Sequence, residues 1–228
     1  MTAPHEGRAK PHEEARYAQV LRFPNQRELV RRLPPLVAGL FLIGFSIAIS
    51  VRAQLGVAPW DVLHQGLAKA THTSIGVVVV LVGLVVLLAW IPLHQQLGVG
   101  TVLNTLSIGF IANLGLALIP NQHAIAARVG FLALAIFGMG LGGGLYIGAG
   151  LGPGPRDGLM TAITARGHRL WVVRTALECS ALVVGFLLGG KVGIGTVLIA
   201  LTIGPLTHAG LRRFHLPVNE DAPEVMGE

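Results

Sequence analysis

The stretch Gly98-Val99-Gly100-Thr101-Val102-Leu103-Asn104-Thr105-Leu106-Ser107-Ile108-Gly109 returns as Gly193-Ile194-Gly195-Thr196-Val197-Leu198-Ile199-Ala200-Leu201-Thr202-Ile203-Gly204, with eight of twelve positions identical. A second pair lies upstream of these copies: Leu55-Gly56-Val57-Ala58-Pro59-Trp60-Asp61 and Leu151-Gly152-Pro153-Gly154-Pro155-Arg156-Asp157. Low-complexity apolar sequence can imitate similarity, but it does not set Gly, Thr, Pro and Asp in matching order. The chain therefore reads as a duplicated unit, and a repeat constrains the whole fold. This divides the protein into a polar tail (1–33), a first membrane repeat (34–120), a second membrane repeat (129–213) and a short tail (214–228).

Composition names the solvent. Residues of the AVILMFWYC set make up 52% of the chain and charged residues 12%, against roughly 25% charged in a soluble domain. The segments 36–51, 75–91, 99–119, 129–147, 172–188 and 194–211 each approach the roughly 20 apolar residues that cross a bilayer. The expected fold is all-α: a polytopic transmembrane bundle of two repeats, with about six spans plus two short half-helices. The half-helices are 59–70 and 155–165, each opened by proline in its first turn. At ~1.5 Å per residue they are too short for a ~30 Å core, which makes them interfacial or re-entrant. If they crossed, each half would hold four spans and the repeats would be parallel. With three spans per half, the halves are inverted.

The polar segment 1–33 carries seven Lys/Arg and delays the first apolar run too long for a secretory signal. Arg31-Arg32 resembles a twin-arginine signal but reads better as orientation charge at the foot of the first span. With both tails cytoplasmic, Arg27, Arg31, Arg32, Arg156, Arg166, Arg169, Arg212 and Arg213 fall inside. Arg52, Lys69, Arg128 and Lys191 fall outside. The acidic stretch from Pro217 onward reads as disordered. The single Cys179 excludes an internal disulfide, and the high pI follows from cytoplasmic arginines rather than from nucleic-acid binding.

The pattern Leu-Gly-x-x-Pro-x-Asp followed by Gly-x-Gly-Thr-Val-Leu, present in both halves over about 36–213, resembles the YczE/YitT-type family of bacterial integral membrane proteins. The resemblance implies a multi-pass protein of the bacterial inner membrane. It brings no catalytic residues and no substrate.

Gly140, Gly144, Gly148 and Gly152 recur every fourth residue and form a ridge on one helix face. Such ridges let membrane helices approach closely. Gly138, Gly142, Gly143 and Gly150 widen it. Ninety-six residues earlier stand Gly44, Ala48, Arg52 and Gly56, so Arg52 breaks the correspondence with a charge. Asp61 and Asp157 stand two residues after their prolines, where a carboxylate can accept free N–H groups and complement the helix dipole. The same groups, beside Gly/Pro-rich backbone, could hold a cation or proton. Arg174 and Glu178 share a helix face, and charges inside a span face protein or water. Their first-half counterparts are Val78 and Val82. Asn104 adds a polar group to the third span. The pathway candidates are Arg52, Asp61, Asn104, Asp157, Arg174 and Glu178, with Asp61 the nearest acid in sequence for Arg52.

No nucleophile elbow, HExxH, CxxC or phosphate loop occurs, and the nine histidines form no metal-ligand cluster. We expect no enzyme activity, no cofactor, no metal and no nucleic-acid partner. The partners expected are the bilayer and a small-molecule substrate. The function expected is a small-solute transporter or permease. The alternative is a non-transporting membrane protein that regulates or stabilises other proteins.

Overall fold

The computed structural model describes residues 26–214; the expected polar segment up to Asn25 and the expected disordered acidic tail lie outside them. Among these residues are eight helices and no strand: α1 Gln26–Ala53, α2 Pro59–Thr71, α3 Ile75–Leu93, α4 Val99–Leu118, α5 Ile125–Gly148, α6 Pro155–Thr164, α7 Leu170–Leu187 and α8 Ile194–Phe214. Six of them, α1, α3, α4, α5, α7 and α8, are long and apolar enough to cross a membrane.

The first span starts earlier than the sequence suggested. Helix α1 runs from Gln26 through Pro34 and Pro35 rather than beginning after them. The two prolines forgo bonds to the carbonyls of Val30 and Arg31, about two turns from the helix start. Water at a bilayer surface can satisfy such carbonyls, so the helix need not break.

Close glycine contacts give the helix directions. Gly44 of α1 lies against Ile108 and Ile111 of α4, and Gly115 of α4 against Ala48, so α1 and α4 run parallel. Gly39 meets Gly142 and Tyr146 while Gly138 meets Ser46, so α5 runs against α1. Helix α8 follows α5: Gly140 faces Leu206 and Gly144 faces Gly210. Gly76 abuts Gly109 while Gly83 abuts Thr105, so α3 opposes α4. Arg166, just before α7, donates to Pro92 O at the end of α3 (2.9 Å).

These contacts sort the termini into two ends. The near end gathers the starts of α1, α4 and α7 and the finishes of α3, α5 and α8. The far end gathers the finishes of α1, α4 and α7 and the starts of α3, α5 and α8. Helix α2 joins two termini at the far end and α6 joins two at the near end, so neither crosses. Their 13 and 10 residues span about 20 and 15 Å, short of the ~30 Å required.

The core sits among α1, α4, α5 and α8, with Leu36, Leu40, Ile47, Ile108, Ala112, Leu132, Met139 and Ile199 buried in one cluster. The outer surface is apolar: Leu81, Val85 and Leu88 of α3, Phe110 of α4, Phe137 of α5, Phe186 of α7 and Leu201 of α8 are exposed. That surface suits lipid, where helices satisfy their own backbone groups.

The predicted glycine ridge divides between two neighbours. Gly140 and Gly144 pack on α8, whereas Gly138 and Gly142 pack on α1. Gly148 ends α5 and is buried. Gly152 does not continue the ridge. It lies past the helix end with φ near +120°, where its missing Cβ leaves room for Gly98 and Thr101.

Candidate site at the junction of the two halves

The two sequence motifs meet each other across the halves, not within them. The N–H of Gly195 at the start of α8 donates to Leu55 O (2.8 Å), and that of Gly100 at the start of α4 donates to Leu151 O (2.7 Å). A helix start leaves its first N–H groups without partners, and here the loop of the other half supplies the acceptor. Gly56 and Gly152 adopt φ of 108° and 120°, a region that admits glycine at little cost. A Cβ on Gly56 would stand 2.7 Å from Gly193 N, and one on Gly152 would stand 2.9 Å from Gly98 Cα. The threonines complete the joint. Thr101 Oγ1 accepts from Gly98 N (3.2 Å) and donates to Pro153 O (2.7 Å), and Thr196 Oγ1 accepts from Gly193 N (3.2 Å).

These loops deliver the first turns of α2 and α6. Pro59 and Pro155 open them, with Ala58 and Gly154 at the cap positions and no side-chain cap on either. Neither aspartate takes up the capping bond expected of it; each pairs with a side chain. Asp61 Oδ1 is 3.2 Å from His64 Nδ1, both side chains being buried. Asp157 Oδ1 is 3.5 Å from Arg156 Nε, and Tyr146 OH points to Asp157 Oδ2 at 3.5 Å. Both carboxylates still lie in a first turn, at the positive end of the helix dipole.

Gly154 marks where polar groups converge. A Cβ there would meet Tyr146 OH at 2.9 Å and both Asn104 Nδ2 and Asp157 Oδ2 at 3.2 Å. Three side chains from α4, α5 and α6 thus surround a position that only a missing side chain leaves open. Arg156 stands beside them with 46% of its side chain accessible. Its guanidinium is within electrostatic reach of Asp157, of Asp61 from the other half, and of Glu178 from α7. The three carboxylates favour its charged form. Glu178 accepts from Arg174 Nε at 3.0 Å, and Arg174 lies alongside Gly204 of α8. Asp157, Asp61 and Glu178 are thus linked electrostatically to Arg156, with Asn104 beside Asp157 at Gly154 and Arg174 beside Glu178.

Arg52 belongs elsewhere, and Asp61 is not its partner. It donates to Asn121 Oδ1 (2.8 Å) and to Leu116 O in the last turn of α4. Two more arginines do the same work at other helix ends. Arg128 donates to Ala53 O (2.9 Å) and Gln54 O, and buried Arg32 donates to Ala149 O (3.1 Å). Cations at C-terminal carbonyls satisfy groups that have no helical partner and complement the dipole. Among the described residues, no three His, Cys, Asp or Glu side chains are grouped so as to hold a metal ion.

A family of unknown function (DUF6198) matches residues 30–211. The chain belongs to this family. It is 41% identical over 170 residues to an uncharacterized Haemophilus influenzae protein, covering 74% of this chain and 78% of that one. It is 30% identical over 195 residues to YczE of Bacillus subtilis, whose name calls it a membrane protein, covering 84% and 88%. YyaS of the same organism is 25% identical over 178 residues, covering 75% and 87%. No solved structure matches. The kinship read from the repeated motifs holds, and with six candidate spans this family member is a polytopic membrane protein.

Four residues of the region carried no prior assignment to it. His64 had a local signal, since it lies three residues after Asp61 on the same helix face. Arg156 adjoins Asp157 but read as a loop charge. Tyr146 reaches Asp157 only after the chain turns at the end of α5. Trp60, the counterpart of Arg156, is buried, and its indole N–H has no acceptor among the described residues.

Proposed function

We propose that the protein is a transporter or permease for a small solute, built as an inverted duplication and set in the bacterial cytoplasmic membrane with its N-terminus inside. The inversion is supported by helix direction: α1 opposes α5, and the same reversal relates α3 to α7 and α4 to α8. Short helices that stop part-way, charged residues near them, and halves meeting at that level are the plan of many secondary transporters.

Arg156 is the observation that carries the reading. An arginine that keeps nearly half its side chain accessible, yet sits among carboxylates from α2, α6 and α7, belongs in a polar space between the halves. Charges placed toward lipid would be costly. The orientation follows from charge placement. Arg27, Arg31, Arg32, Arg156, Arg166, Arg169, Arg212 and Arg213 gather at the near end, against Arg52, Lys69, Arg128 and Lys191 at the far end. The positive-inside rule then makes the near end cytoplasmic.

Purified protein in proteoliposomes should carry at least one solute of a panel of small ions, amino acids and amines. Glu178→Gln should lose or uncouple that flux without losing the fold, because the ion pair beside Arg156 is broken. A wild type that carries nothing contradicts the reading, whereas unchanged coupled flux in the variant would leave Glu178 a structural counter-ion to Arg174 only. The asymmetry between Trp60 and Arg156 favours one rival, a membrane protein that has given up transport to hold a partner. Cross-linking followed by pull-down tests it, and recovery of one stoichiometric partner together with no flux would support it.

A further inference from the structure

Each second-half carboxylate of the junction touches an arginine. Asp157 has Arg156 at 3.5 Å and Glu178 has Arg174 at 3.0 Å. Arginine stays charged at any accessible pH, so both acids face a permanent positive partner. Asp61 differs, because its contact partner is His64, whose charge is conditional. Asp61 and His64 are only 5% and 8% exposed. With imidazole neutral, the pair holds one negative charge away from water, which is costly unless compensated. Arg156 lies within reach but serves Asp157 and Glu178 as well.

We propose that Asp61 and His64 form a proton-binding site, and that the proton is the coupled ion of the transporter. The coupling rests on the transport reading above; the binding site does not. His64 Nδ1–H donates to Asp61, which leaves the Nε2 lone pair to take a proton from water. The pair then becomes an imidazolium beside a carboxylate, neutral overall, and no bond between heavy atoms is made or broken. Uptake occurs as pH falls. The charged groups on the elements packed against α2 begin with Lys191, in the loop that lies on Val62 and Gln65. Helix α2 packs chiefly on α7 and more lightly on α3. Helix α3 carries no ionisable side chain, and α7 carries Arg174, Glu178 and Cys179. Across the junction, α6 presents Arg156 and Asp157. On α2 itself, Lys69 is held by Gly189 O at 2.9 Å, and His72 is exposed beyond the helix end. Glu178 is already paired with Arg174.

The test uses the full chain in lipid nanodiscs with nitrogen-labelled histidine, the His64 signal being assigned with His64→Gln. From about pH 8 to about pH 5, the His64 ring should pass from neutral to cationic in the wild type and stay neutral in Asp61→Asn. A ring that keeps one charge state in the wild type, or titrates identically in Asp61→Asn, overturns the proposal. Proton uptake by purified protein gives a second reading that needs no Asp61 variant. Over the same range His64→Gln should bind about one proton fewer per chain than wild type, and equal uptake overturns it. Solute flux is scored separately. Loss of flux with His64 still titrating removes the transport reading alone, and flux with a silent His64 removes the proton site alone.

Discussion

In the first turn of α2, Pro59, Trp60 and Asp61 are all buried. In the first turn of α6, Pro155 is buried but Arg156 and Asp157 keep 46% and 36% of their side chains accessible. The backbone before the two turns is alike: a glycine with positive φ, a carbonyl given to the other half's helix start, then proline. The side chain after proline separates them. An indole is buried at this position in α2, whereas in α6 an accessible guanidinium stands beside Asp157 and within electrostatic reach of Asp61 and Glu178. Matching sequence thus preserves the joint, and the differences place the charges.

The largest effect should come from the joint. Gly56→Ala and Gly152→Ala each force an L side chain into a left-handed backbone and against a neighbouring main chain. Each should cost about 3 kcal/mol or more, read as thermal stability of purified protein in detergent. The two losses should be similar, and tolerance of one alone would mean that the exchanged contacts are not equivalent. Next in size is Gly144→Leu, whose side chain would meet the backbone of Gly210 at a cost of about 2 kcal/mol or more. Gly130 has nothing within 4 Å of a Cβ, so Gly130→Leu should stay within about 0.5 kcal/mol of wild type. Equal, small changes in both would remove Gly144 from the contact between α5 and α8.

The smallest effect sharpens the comparison most finely. Thr101 both accepts from Gly98 and donates to Pro153, while Thr196 accepts from Gly193. Thr101→Val should cost about 1 kcal/mol and Thr196→Val about half of that. The reverse order in the same stability assay would put the stronger joint at the far end.

How much of this was legible depends on distance along the chain. The paired motifs announced that Leu55 and Leu151, Gly100 and Gly195 mattered, because Gly, Thr and Pro recur in order. Nothing local said that each loop would bond to the other half's helix. The six spans followed from apolar length, and the shortness of α2 and α6 followed from counting. The start of α1 was missed because Pro34-Pro35 normally ends a helix, and the rule fails where water can take the freed carbonyls. Arg52 read as a pathway charge because it replaces a glycine, but its reach to Leu116 and Asn121 depends on the parallel packing of α1 on α4. Asp61 with His64 was readable from spacing alone. The meeting of Asn104, Tyr146 and Asp157 at Gly154 was not, since Asn104 lies more than 40 residues before the other two.

The central claim is that the halves are inverted, so that the two short helices belong to opposite membrane faces. Lys69→Cys at the end of α2 and Arg166→Cys just after α6, each in a Cys179→Ser background, can be exposed to an impermeant thiol reagent in intact cells. Labelling of the residue 69 variant alone, with the residue 166 variant reacting only after the membrane is opened, is the predicted result. Both variants reacting from the same side, whether from outside or only after the membrane is opened, would contradict the inverted arrangement.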